Sequence, residues 1–206
     1  MINIIKENKE YSLIVFLLAL SIVHNFISIE YFRIFYRDDV WTASYAYNFY
    51  KTGINFDVIA REVGMILAHG SFVDYLYGFF MNLFPDNHLT HRYVSFGLGL
   101  YLLLILNKVF SFFINDKLIV LRTILFISLL EYFVLSSHIS RAEMLGASVV
   151  FTAFYIFIKD NKIVNYILGS FLLGLAFDIH LASLIGVFLF FGYEIASKRF
   201  SFKNYK

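Results

Sequence analysis

Tyr11 to Ile29 runs for about 19 residues without a charged side chain. At about 1.5 Å per residue, a helix of that length covers a hydrocarbon core about 30 Å thick. In lipid every backbone N–H and C=O needs a partner inside the segment, and a helix supplies them all. Five more apolar runs follow, at Tyr93–Phe113, Leu118–Leu135, Met144–Ile158, Val164–Ala176 and Leu181–Ile195. The chain is 60% hydrophobic and 16% charged. Soluble domains average about 45–50% and about 25%. The excess is too large for the core of a soluble chain of this length. The expectation is an all-α, multi-pass transmembrane helix bundle with about six spans, a single module over residues 1–206. The spans fall near 11–29, 93–113, 118–135, 144–158, 164–176 and 181–195. The first run is followed by further spans and shows no clear small-x-small cleavage site, so it is read as a retained helix rather than a signal peptide.

Residues 30–92 form a long first loop carrying juxtamembrane helices. One is predicted over Asp38–Lys51, closed by Gly53. Another covers Gly70–Phe84, contains Asp74, and ends at Pro85. It is too short to span and suits the interface. Glu131 is expected inside the third span, where a carboxylate is costly and faces protein or water. Ser136–Glu143 reads as a polar loop, and Phe177–His180 as a break between the last two spans.

Lysines and arginines near span ends set the orientation. With the N-terminus in the cytoplasm, Lys6, Lys9, Lys108, Lys117, Arg122, Lys159, Lys162 and the basic tail lie inside. Only Arg141 falls in a short outer loop; the other outer basic residues sit in the long first one. Both termini are therefore expected in the cytoplasm. The basic residues form no patch, so nucleic acid is not an expected partner; the bilayer is. The chain has no cysteine, which removes disulfides, thiolate metal sites and a cysteine nucleophile. No phosphate-cradling glycine loop, Ser-His-Asp pattern or zinc signature is present.

This topology brings three polar clusters to the outer face. The first is Asp38-Asp39, with Trp41 and Tyr45 beside it. Adjacent carboxylates can act as a general base and hold a metal, or can simply cap a helix N-terminus. The second is His138-Ile139-Ser140-Arg141-Ala142-Glu143. An arginine fork suits a phosphate, and Glu143 could orient it or bind a cation. Equally, Arg141 could meet lipid headgroups while Glu143 caps the next helix. The third is Asp178 with His180, a metal or hydrogen-bonding pair or a tight polar turn.

Taken in order, these segments resemble the GT-C glycosyltransferases, in the branch of protein O-mannosyltransferases and lipid A aminoarabinose transferases. The resemblance covers about residues 11–195. Its parts are Asp38-Asp39 with Tyr45-Ala46, Gly53, His69-Gly70 opening Ser71–Leu76, Arg92–Gly97, Ser140–Met144, and Gly174-Leu175-Ala176 with His180. That family places an Asp-Asp or Asp-Glu pair in a long first outer loop, Arg-Pro-Glu or Arg-Pro-Asp at the second, and Gly-Leu-Ala before a His. Here Ala142 and Leu181 stand where the family often has proline.

The resemblance implies inverting transfer of a sugar from a polyprenyl-phosphate carrier to an unknown acceptor, at the outer face of a bacterial plasma membrane. Asp38 would be the general base and Arg141 would bind the carrier phosphate. Asp39 and Glu143 would orient these groups or hold a divalent cation, magnesium or manganese. Trp41, Tyr45, Asp178 and His180 would contact substrate. Family members carry further helices, so the chain is expected to be an N-terminal module, truncated or completed by a second polypeptide. The alternative is a non-catalytic multi-pass protein, a transporter-like or assembly subunit with structural polar loops.

Overall fold

A computed structural model describes residues 2–31, 46–48, 50–52, 71–84, 89–139, 141–160 and 162–197. Asp38, Asp39, Trp41, Tyr45, Gly53, His69, Gly70 and Pro85 lie outside the described residues. Within them every regular element is helical: α1 Ile2–Tyr31, α2 Ser71–Leu83, α3 Thr90–Phe113, α4 Lys117–Leu129, α5 Glu131–His138, α6 Ala142–Lys159, α7 Ile163–Ile179, a 3₁₀ turn Leu181–Leu184, and α8 Ile185–Ala196. Residues 46–48 and 50–52 are also helical, inside the juxtamembrane helix expected there.

Three helices are long and apolar enough to cross a membrane: Asn8–Glu30 within α1, then α3 and α6. A fourth crossing forms if α4 and α5 count as one bent span. α7 and the 3₁₀ turn with α8 are shorter apolar helices. The structure therefore has three or four helices that fit a bilayer by length and composition.

The third expected span differs most from the sequence reading. It breaks at Leu130, and its halves meet at 61°. Leu130 adopts an extended backbone and turns its N–H to the Ile127 carbonyl. Neither glycine nor proline marks the place. Instead Ser128 donates to the Leu125 carbonyl at 2.8 Å and faces Ser21 Oγ of α1 at 3.3 Å. A hydroxyl that binds its own helix and a neighbour competes with the helical ladder. The break places Glu131 at the bend between α4 and α5. It becomes an exposed residue in the first turn of α5, where the helix dipole favours a carboxylate. Residues expected in loops are helical: 136–138 end α5, and Phe177–Ile179 extend α7. The interruption falls at His180.

α6 is the central helix, packed on α7 and α3, while α1 lies on α4 and α2 on α3 and α7. Small residues let these helices approach, as is common in membranes. A Cβ at Gly99 of α3 would lie 3.1 Å from Ser137 Cβ of α5. One at Gly146 of α6 would lie 2.7 Å from Ser183 Oγ of the 3₁₀ turn.

Candidate functional site

Five helix ends gather at one end of the bundle. Tyr93 near the start of α3 donates to Glu30 near the end of α1, at 3.1 Å. Ser28 of α1 meets His138 at the end of α5, at 2.6 Å. Gly146, in the second turn of α6, lies against Ser183, His180 and Ile179. The start of α6 and the end of α7 are thereby joined.

One buried apolar cluster ties this end together. It contains Ala46, Val73 and Tyr77, with Ala142, Leu145 and Ile179. Each segment that carries a sequence-predicted site residue sends one member into it. Ala46 follows Tyr45 in the chain, Ala142 follows Arg141, and Ile179 lies between Asp178 and His180. All three are buried, with at most 4% of their surface exposed. The acidic pair itself and its aromatic neighbours lie outside the described residues.

Arg141 is the N-cap residue of α6. Its guanidinium binds Glu143 Oε1 at 2.6 Å, and the two side chains are 28% and 37% exposed. Glu143 sits in the first turn, where the dipole also favours it. Orienting the arginine and stabilising the helix start are thus one and the same placement. His180 uses Nδ1 to accept the Ala182 N–H at 3.2 Å, capping the 3₁₀ turn. The proton of the neutral ring is then on Nε2. Asp178 is exposed in the last turn of α7, where a carboxylate opposes the helix dipole. It is not placed there to stabilise the helix.

The same end buries polar groups to which the sequence reading gave no role of their own. Asp74 and His138 are fully buried and Arg92 is 3% exposed. Tyr77 and Ser95 hydroxyls meet at 2.7 Å. Arg92 is close enough for its charge to act on His138. The signal available in sequence was a charge set in or beside an apolar helix, since such a residue is costly unless paired or used.

Among the described residues no group of three His, Asp or Glu side chains comes together to hold a metal ion. Glu143, one of the two suggested ligands, is engaged by Arg141, and a divalent cation there would be repelled by the guanidinium. The placement of Glu143 fits an orienting role better than a metal-binding one.

Beside this end, α1, α2 and α3 line an open apolar groove of about 710 Å³. Phe26, Leu76, Phe80, Phe84, Tyr93, Val94 and Leu98 line it, with Gly97 opening its wall and Thr90 its main polar group besides the Tyr93 hydroxyl. Comparison of the chain with family models, with curated proteins and with solved structures returned no match.

Proposed function

We propose that the chain is a membrane glycosyltransferase of the GT-C kind, or the N-terminal module of one, moving a sugar from a polyprenyl-phosphate donor to an acceptor at the outer face. The observation that carries this reading is the shared cluster of Ala46, Ala142 and Ile179. It brings Ala46, seven residues after Asp39 in the chain, to the same end of the bundle as Arg141-Glu143 and Asp178-His180. The apolar groove beside that end suits a prenyl tail. In this reading α7 and the 3₁₀ turn with α8 complete six crossings.

The reaction follows from the residue types. The acceptor O–H gives its proton to Asp38 while the acceptor oxygen bonds to the anomeric carbon. The bond from that carbon to the phosphate oxygen breaks, and the phosphate keeps the electron pair. Attack from the opposite face inverts the centre through an oxocarbenium-like transition state. Arg141 neutralises the departing phosphate with paired N–H donors, and Glu143 holds the fork in place. Asp39 orients the base or the acceptor. Trp41 and Tyr45 stack on the sugar or the prenyl chain. No step is routed through a metal.

Membranes containing the full-length gene product, supplied with radiolabelled polyprenyl-phosphate sugars, test the proposal. Asp38→Asn keeps the side-chain shape but removes the proton acceptor. It should cut transfer by about 10²–10⁴-fold with membrane insertion unchanged. Near-normal transfer in that variant would take Asp38 out of the mechanism. A second reading, a non-catalytic subunit, draws on the local capping role of His180. It predicts no transfer from any donor.

A further inference from the structure

His138 is fully buried, and both of its ring nitrogens are hydrogen-bonded. Nδ1 lies 2.6 Å from the Val134 carbonyl, which can only accept. Nδ1 therefore carries a proton. In the neutral ring Nε2 is then the acceptor, and it lies 2.6 Å from the Ser28 hydroxyl. That hydroxyl has a single proton, and giving it to Nε2 means not giving it to the Asn25 carbonyl 2.9 Å away, the alternative acceptor within α1. A buried imidazole in apolar surroundings is costly unless both nitrogens are satisfied, so this bond fixes the ring and with it the end of α5. Gly99 brings α3 against Ser137, and Ile139 is fully buried on the other side.

The two partners occupy particular places in the chain. Arg141 lies three residues beyond His138, so its backbone is within about 11 Å of that anchor. Ser28 lies in the last turn of α1. We infer that the Ser28–His138 hydrogen bond is a strut tying the end of α1 to the end of α5, and that His138 is a positioning residue acting through Arg141. This rests on the transferase reading for its functional meaning, though the strut itself does not.

Two measurements test it, one of which needs no activity. The first is a double-mutant cycle on transfer. Ser28→Ala deletes one hydroxyl and should lower kcat/KM for the donor about three- to tenfold, mostly through KM. His138→Gln, which can still reach Ser28, should keep more activity than His138→Asn, which cannot. In an Arg141→Ala background Ser28→Ala should cost nothing further, because the residue it positions is gone. Equal losses in both backgrounds would make the pair mere packing and overturn the inference. The second measurement uses the absence of native cysteine. In an Arg141→Cys chain, Ser28→Ala should raise the rate of labelling by an impermeant maleimide severalfold. An unchanged rate overturns the strut. If the wild type transfers no sugar, the transferase reading fails alone and the labelling rate still decides.

Discussion

The two ends of the bundle handle charge in opposite ways. At the end away from the candidate site, Lys9, Lys108, Lys117, Arg122, Lys159 and Lys162 are all exposed. Glu10 pairs with Arg122, and Lys162 with Asp160, at the surface. Packing there is aromatic: Phe157 lies 4.4 Å from Phe190 and 4.8 Å from Tyr166, ring to ring, and Phe154 contacts Tyr193. At the other end Asp74, Arg92 and His138 are buried, and the short helices α2 and α5 lie among the ends of the long ones. Exposed charges cost little and serve orientation. Buried ones lose solvation and persist where something uses them. The first end reads as anchor, the second as working part.

The largest expected effect is all-or-none. A single cysteine at the exposed Asp178 should label from outside with an impermeant reagent, and one at the exposed Lys162 should not. The reverse pattern would turn the molecule over and place the candidate site in the cytoplasm. Phe157→Ala should cost about 3 kcal/mol of stability in a detergent unfolding assay, since a large buried ring is lost from the aromatic cluster. Donor KM should stay put in the folded fraction. A changed KM would mean the two ends are coupled. Arg141→Lys should weaken donor use about tenfold, because lysine keeps the charge and loses the paired donors. Identical rate-against-donor curves would reduce Arg141 to a headgroup anchor. The smallest effect belongs to Arg122→Ala, about 0–1 kcal/mol, since its pair with Glu10 is at the surface. A loss of several kcal/mol would show that the basic end is not a simple surface.

The long helices were legible in the sequence because length and apolar content decide them. α1, α3 and α6 each hold a charge-poor run that water cannot accommodate. The break at Leu130 was not legible. Its cause lies in a contact between Ser128 and Ser21, which are 107 residues apart. Helix ends shifted for a similar reason. His138 looked like a loop residue, but its ring binds the Val134 carbonyl one turn back and extends α5. At the site, Arg141 with Glu143 was readable because the two are near neighbours in sequence. His180 was readable as a polar interruption, and the structure gives it a capping bond, whereas Asp178 lies within α7. Asp74 and Arg92 stood out as charges in or beside apolar helices, but nothing local distinguishes a charge facing headgroups from one facing protein.

The hydrogen bonds of α1 also set a timetable. Ser21 and Ser28 find their partners 107 and 110 residues later in the chain. At synthesis rates of about 5–20 residues per second, α1 waits roughly 5–20 s before Ser128 and His138 leave the ribosome. Through that interval Ser21, Asn25 and Ser28, all on one face, lie without their final neighbours, though Ser28 can bind the Asn25 carbonyl of its own helix. The insertion machinery, or lipid headgroups reached by tilting, therefore has Ser21 and Asn25 of an otherwise apolar helix to shelter until α4 and α5 arrive.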